Sequence, residues 1–164
     1  MKTHALVLFV AFVIWGCASS QEAAKEEMLL GWVDRTSIES PKYPQFKATY
    51  DTVKVEKDVV EFIREVNDGV DFLVFFGSWC SDSKREVPRF LKVTDMAGID
   101  VGRIRFYGLD RTKKSADGLT DKHEIQLVPT FIVFKNGKEL GRIVEKPRTT
   151  IEDDLLSILA ADSN

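Results

Sequence analysis

Cysteine is nearly absent from this chain of 164 residues, which has only Cys17 and Cys80. Neither belongs to a Cys/His cluster with zinc or iron–sulfur spacing, so the sequence predicts no metal site. An excess of charge of one sign is also lacking. The formal net charge is -3 with both signs interspersed, which argues against a nucleic-acid partner. Long-period repeats are absent, which excludes a repeat architecture.

Long hydrophobic runs are scarce as well. The apolar run at residues 5–15 is too short for a spanning helix, which needs about 20 apolar residues. It follows a short positive segment and precedes Gly16-Cys17 and small polar residues, which is the layout of a secretory signal. We therefore predict a signal peptide at residues 1–16. An uncleaved membrane anchor is the alternative.

The end of this segment, Ile14-Trp15-Gly16-Cys17, resembles a bacterial lipobox, in which the cysteine is diacylated and becomes the mature N-terminus. The resemblance implies lipidation of Cys17, a lipidated and polar tether at residues 17–27, and a membrane-anchored bacterial lipoprotein facing the periplasm. Two acyl chains give stable attachment where one is marginal. Ala18, in place of Asp, slightly favours the outer membrane. With Cys17 carrying lipid, Cys80 is the only free thiol.

The remaining chain alternates between strand and helix patterns. We predict an irregular segment at residues 28–44, and a hairpin at Asn136-Gly137. The predicted strands are residues 46–55, 70–76, 101–109, 130–134 and 139–144. The predicted helices are residues 59–66, 80–96 and 113–124, with a last one capped by Thr149 or Thr150. This order predicts an α/β fold, with a central mixed sheet and helices on both faces.

Chemistry is expected at Cys80, where a buried strand turns into a helix. The unpaired N–H groups and the dipole of a helix N-terminus favour the thiolate. Trp79 precedes this cysteine, and Ser83 stands where a second cysteine would complete a Cys-x-x-Cys pair.

Three ordered motifs resemble those of the thioredoxin superfamily, across residues 45–162. They are Trp79-Cys80-Ser81-Asp82-Ser83-Lys84, then Pro88 within the helix, then Val128-Pro129-Thr130 before the hairpin FIVFKNG. The resemblance implies a thioredoxin-like fold for a domain at residues 28–164 with an N-terminal extension. It also implies a cis bond before Pro129 and an extended substrate paired with the backbone before this proline.

Two departures from the family pattern bear on function. Ser83 replaces the cysteine that resolves a mixed disulfide, and Val74 stands where many members carry a buried acid. Both argue against an autonomous dithiol reductase. The resemblance then implies a monothiol exchange protein of the oxidoreductase, isomerase or substrate-trapping type. A non-catalytic binding or assembly lipoprotein holding an extended partner is the alternative, with Cys80 as an inert remnant.

The resemblance implies a role for each site residue. Cys80 would be the nucleophile and Ser83 its hydrogen-bond partner. Trp79, Val128 and Pro129 would bind substrate. The expected partners are protein thiols or disulfides, a small-molecule thiol reductant and, through Cys17, the membrane. No cofactor is implied. His123 is expected to be a solvated surface residue.

Overall fold

The structure of the protein is a computed structural model that describes residues 27–161. The predictions of a signal peptide, of Cys17 lipidation and of most of the tether lie outside the described residues. Within residues 27–161, no helix combines the length and the apolar character needed to cross a bilayer.

Five strands, six α-helices and one 3₁₀ helix (Val101–Arg103) make up the described chain. The 3₁₀ helix takes the first three residues of the strand predicted at residues 101–109. The strands are β1 (Gly31–Val33), β2 (Val70–Phe76), β3 (Ile104–Gly108), β4 (Thr130–Lys135) and β5 (Lys138–Val144). The helices are α1 (Arg35–Ile38), α2 (Pro44–Thr52), α3 (Lys57–Val66), α4 (Ser81–Met96), α5 (Leu119–Lys122) and α6 (Ile151–Ala161).

The strands form one mixed sheet in the order β1-β3-β2-β4-β5. β2 and β3 are parallel, whereas β1 runs antiparallel to β3, and β4 runs antiparallel to both β2 and β5. The parallel pair is joined through α4, and the β4–β5 hairpin turns at Asn136-Gly137, where both residues have positive φ. The predicted mixed α/β sheet is confirmed.

The strand predicted at residues 46–55 is wrong, because most of this stretch is helix α2. Phe46 and Tyr50 alternate as they would in a strand, but they are also four residues apart, as on one helix face. Pro44 at the first helical position was the signal for a helix start. Phe46 is buried and its ring lies 6.2 Å from that of Phe76 in an edge contact.

The segment predicted as irregular, residues 28–44, contains β1 and α1. β1 is only three residues long, too short to show an alternating pattern, and it is held by pairing with β3. The helix predicted at residues 113–124 is reduced to α5. Instead of a longer helix, Ser115 and Thr120 pair reciprocally, each side-chain oxygen accepting from the other's backbone N–H.

The first face of the sheet carries the main core. The side of the sheet onto which α2, α3, α4 and α6 pack is called the first face. Its buried strand residues are Val70, Phe72, Val74, Phe76, Ile104, Phe106, Phe131 and Val133. Phe90 from α4 lies between Phe72 and Phe131, with ring centroids 5.2 Å and 5.0 Å away. Burial of these aromatic rings is the principal stabilising term of the fold.

The second face is the opposite side of the sheet, and its core is smaller. It buries Leu73, Phe75, Tyr107, Leu109, Ile125, Val128 and Ile132. The cover comes from the chain between β3 and β4, in which α5 is the only helix. Trp79 and Cys80 pack at the border of this smaller core. The site described below therefore lies beside the less covered side of the sheet.

Candidate functional site

A tight turn carries the chain from β2 into α4 and positions Cys80. The backbone N–H of Cys80 donates to the carbonyl of Gly77 at 2.9 Å, and the carbonyl of Cys80 accepts from Lys84 N at 3.0 Å. Cys80 has extended dihedral angles and is the N-cap residue of α4. Its thiol therefore sits at the positive end of a helix of 16 residues, as the sequence indicated.

The cysteine thiol contacts the loop at residues 127–130, here called the proline loop. Cys80 Sγ donates a hydrogen bond to the carbonyl oxygen of Val128 at 3.3 Å, although 48 residues separate them. The Val128–Pro129 peptide bond is cis, as predicted. Thr130 Oγ1 donates to Leu127 O at 2.8 Å, and Pro129 O accepts from Glu145 N at 2.7 Å, so both sides of the loop are fixed. Cys80, Val128 and Pro129 are brought together.

Ser83 forms a hydrogen bond that the sequence did not indicate. Its side chain is fully buried, and its Oγ accepts a hydrogen bond from Gly77 N at 3.1 Å. The hydrogen bond that fixes Ser83 thus ties α4 to the turn, while the thiol of Cys80 donates to Val128 O. Ser83 supports the shape of the turn that presents Cys80.

Trp79 covers the same turn. Its indole Nε1 donates to Leu109 O at 2.8 Å, and its ring leaves no room for a side chain at position 77, where a Cβ would lie 2.7 Å from the indole. The guanidinium of Arg111 lies 4.8 Å from the centre of the indole ring, within cation–π range. Trp79 is half-buried beside Cys80, so it keeps some accessible surface for a bound chain.

Charges in the first turns of α4 are paired. Asp82, whose charge would oppose a thiolate at Cys80, accepts from Arg85 Nη2 at 2.6 Å. Arg85 Nε also donates to the buried Glu86 at 2.5 Å, and these two carboxylates raise the pKa of Arg85, that of Glu86 having the larger effect. The permanent cation offsets the repulsion that Asp82 would exert on a thiolate.

The N-terminal segment reaches the turn, which the sequence did not indicate. Leu29 N donates to Ser78 Oγ at 3.1 Å, and Ser78 is fully buried. The carbonyl of Leu29 crosses so close to Gly108 that a Cβ there would lie 2.2 Å from it. These contacts join residues far apart in sequence, and a lone serine and a lone glycine give no local signal for them.

An open groove borders the proline loop. It has a volume of about 720 Å³ and is lined by Leu127, Thr130 and Val144, with charged residues further along. Leu127 and Val144 are 39% and 42% exposed, which is high for large apolar side chains. Within residues 27–161 the backbone N–H of Val128 has no hydrogen-bond partner. An apolar wall beside an unpaired backbone donor suits an extended peptide.

The remaining candidate residues have structural roles. Val74 is fully buried in β2, so the family's acid position is apolar. Asp110 Oδ1 accepts from Thr112 N and Oγ1, and these bonds lower the pKa of Asp110. Asp117 Oδ1 accepts from Leu119 N at the start of α5. Within residues 27–161, no cluster of acidic, His or Cys side chains could hold a metal ion.

His123 was expected to be solvated but is half-buried. Its ring centre lies 5.8 Å from that of Phe75 and 6.1 Å from that of Phe134. Burial, and then the charges of Lys122 and Arg142, lower the pKa of His123 below its usual value. Its sequence neighbours Lys122 and Glu124 are exposed, and this polar context concealed the position of the imidazole against the second face.

Comparison with known proteins agrees with this geometry. The sequence profile of the family described as thioredoxin matches residues 37–156. A thioredoxin-like protein of Acanthamoeba polyphaga mimivirus is 26% identical over 111 residues, covering 62% of this chain and 78% of the relative. Thioredoxin of Malassezia sympodialis is 31% identical over 77 residues, covering 47% and 70% of the two chains.

Solved structures agree on the fold. A crystal structure of a protein of unknown function from Pseudomonas aeruginosa superposes with a TM-score of 0.55 at 15% identity, covering 73% of this chain and 82% of that one. At this identity the likeness shows the fold alone. The family match spans both the Cys80 turn and the proline loop. The chain therefore belongs to the thioredoxin family, whose members carry out exchange between protein thiols and disulfides.

Proposed function

We propose that this protein is a monothiol thiol–disulfide exchange protein, tethered to the membrane and facing the periplasm. The observation that carries the proposal is the contact between Cys80 Sγ and the carbonyl of Val128, at 3.3 Å, beside the cis Pro129. The half-buried thiol thus lies at a helix N-terminus and next to a backbone suited to hold a peptide. Both features are what attack on a disulfide requires.

The proposed reaction begins with loss of the Cys80 thiol proton to solvent. The thiolate attacks one sulfur of a substrate disulfide, so that a Cys80–substrate disulfide forms and the substrate's other sulfur leaves as a thiolate. A second thiol then attacks the mixed disulfide. It takes the substrate sulfur into a new disulfide and returns Cys80 to its thiolate. That second thiol is either another cysteine of the substrate or a small-molecule thiol.

The release step must come from outside because the site holds one sulfur. Cys80 is the only cysteine within residues 27–161, and the position one turn along α4 is occupied by the hydroxyl of Ser83. Ser83 is also engaged with Gly77 N. Val74 adds no proton acceptor on β2. The mixed disulfide is therefore expected to persist until an external thiol arrives.

A binding or assembly role is the second candidate. Two observations favour it, the groove with exposed Leu127 and Val144 and the unpaired Val128 N–H. In that role the groove would hold an extended partner without covalent exchange, and Cys80 would only pack against the loop. The two roles differ in whether the sulfur of Cys80 is needed.

Capture through Cys80 separates the two roles. The full chain is mixed with a peptide that contains a disulfide, quenched with acid, and analysed by mass spectrometry without reductant. We expect an adduct on Cys80 that glutathione removes, no adduct with Cys80→Ser, and an unchanged far-UV spectrum in both proteins. Absence of an adduct with the unaltered protein, with peptide still bound non-covalently, would replace exchange by the binding role.

Ser83→Cys tests the missing resolving thiol. Cysteine differs from serine by one atom and is the residue that completes a Cys-x-x-Cys pair at this position, so we expect the turn to accommodate it. The substitution places a second thiol one helical turn from Cys80. We expect the adduct to fall by about tenfold or more, since a neighbouring thiol attacks far faster than a dilute one. Ser83→Ala, which lacks a thiol, is the matched control and should leave the adduct in place. An equal adduct level in the Cys and Ala variants would contradict the proposed cycle.

The tether has a test of its own. With Cys17→Ser we expect loss of radiolabelled lipid incorporation and release of the protein from the membrane fraction on extraction. Cys80→Ser, which leaves the lipobox intact, is the control. Unchanged lipid labelling and membrane extraction in Cys17→Ser would reject the tether and leave the exchange chemistry unaffected.

A further inference from the structure

A second pocket lies on the second face, at the opposite end of the sheet from Cys80. Its volume is about 500 Å³, within the range of small-molecule sites. Leu73 of β2, Phe134 of β4 and the half-buried His123 line it. Aromatic and aliphatic side chains therefore provide an apolar wall that the short cover of this face leaves open.

Positive charge surrounds this wall. Arg103, Arg105 and Lys122 line the same pocket, against one acid, Asp71. Asp71 approaches Arg103 at 3.5 Å, and both side chains are about half exposed. Within the described part of the chain, Arg105 and Lys122 form no ion pair. A net excess of cations here runs against the formal net charge of -3 of the whole chain.

Arg105 is held in place by its surroundings. Its guanidinium lies 5.5 Å from the ring centre of Trp32, which is itself 54% exposed. Trp32 makes an edge contact with Tyr107 at 5.1 Å. A cation stacked on a fixed aromatic ring loses less freedom on binding a ligand than a free side chain does.

We propose that this pocket binds a small organic anion with a flat apolar group, such as an aromatic carboxylate or sulfonate. The anionic group lies between Arg105 and Lys122, and the ring packs against Leu73, His123 and Phe134. A guanidinium and an ammonium on an apolar wall select for this combination, since either part of the ligand alone leaves half of the pocket unused. The site is separate from Cys80 and does not depend on exchange chemistry.

Two matched probes test the proposal on the full chain. One is 8-anilino-1-naphthalenesulfonate, and the other is N-phenyl-1-naphthylamine, which has the same rings and no sulfonate. Followed by fluorescence, the uncharged probe should bind about tenfold more weakly, as expected for loss of a charge-assisted contact. Equal affinity of the two probes would show a merely apolar surface and overturn the proposal, as would no binding of the sulfonate.

Variants locate the binding. Arg105→Ala with Lys122→Ala should weaken binding of the sulfonate about tenfold or more, with little effect on the uncharged probe. Lys54→Ala with Lys57→Ala removes two exposed cations elsewhere and is the control of equal charge. An equal loss in both double variants would mean that only net charge matters, and the pocket would be rejected.

The imidazole of His123 reports occupancy directly. Burial lowers its pKa the most, the charges of Lys122, Arg142 and Arg105 lower it further, and the charge of Glu139 raises it. A bound sulfonate should raise the pKa of His123, which NMR titration of its ring protons measures with and without the probe. No change in the pKa of His123 at saturating probe would place the ligand elsewhere and overturn the proposal.

Discussion

The two faces of the sheet differ in what covers them and in what they carry. The first face is buried beneath α2, α3, α4 and α6, and its strand side chains are aromatic or β-branched and almost wholly enclosed. The second face has the four-residue α5 and connecting loops as its cover. Cys80 and the proline loop border the second face. So does the pocket lined by Arg103, Arg105 and Lys122, here called the cationic pocket. Accessible chemistry is therefore placed where burial contributes least to stability.

The largest expected effect is on the free energy of unfolding, when two neighbouring residues of β2 are each replaced by alanine. Phe72 lies on the first face and is 1% exposed. Leu73 lies on the second face, where it is 2% exposed and lines the cationic pocket. We expect Phe72→Ala to lower the free energy of unfolding by about 3–5 kcal/mol, because it leaves an enclosed cavity. Leu73→Ala should cost only about 2–3 kcal/mol, since solvent can enter from the pocket.

Urea denaturation followed by circular dichroism measures both losses. The two changes lie on adjacent residues of one strand, so strand propensity and position are nearly matched. A loss in Leu73→Ala as large as that in Phe72→Ala would contradict the comparison, because the second face would then be as tightly enclosed as the first.

An intermediate loss of stability is expected where the N-terminal segment packs against Gly108, near the Cys80 turn. Gly108→Ala would bring a Cβ to 2.2 Å from Leu29 O, so backbone must move. We expect a loss of about 1–3 kcal/mol in unfolding free energy, together with faster proteolysis before β1. Gly102→Ala is the control, because its Cβ would meet only the Asp100 side chain, at 3.4 Å or more. Equal proteolysis in the two variants would mean that the segment is not held at Gly108.

The smallest effect is the pH dependence from His123 on the second face. Burial lowers the pKa of His123 in the folded protein, so the unfolded chain binds more protons between that value and the ordinary one near 6.5. Stability should therefore fall as the pH drops below about 6.5. His123→Phe keeps a ring against Phe75 and Phe134 and removes this proton. The slope of unfolding free energy against pH should be flatter in that variant, and an identical slope would contradict the assignment.

The sequence predicted those parts of the fold whose signals are local. The apolar run at residues 72–76 indicated β2, and Asn136-Gly137 indicated the hairpin. Thr149 or Thr150 was predicted to cap the last helix, and it is Thr150 whose Oγ1 accepts from Asp153 N at 3.2 Å. The stretch around Phe46 failed because one set of apolar positions fits both a strand and a helix. β1 failed because three residues carry no period, and its pairing with β3 is a tertiary interaction.

The site was predictable in composition but not in its contacts. Cys80, Val128 and Pro129 were named from the sequence, and the structure brings them together. The bond from Gly77 N to Ser83 Oγ was not, because the position of Gly77 depends on the folded turn. The stacking of Arg111 on Trp79 likewise depends on the path of the loop after β3.

The two outer strands have a consequence for aggregation. β1 offers only three residues at one edge of the sheet, and β5, at the other edge, carries Lys138, Glu139 and Arg142 and shifts its register against β4 near Val133. Short edges, edge charges and irregular register all discourage a further strand from adding to a sheet. A protein with an unpaired backbone donor at Val128 beside its groove thus offers extended chains little to pair with along the edges of its sheet.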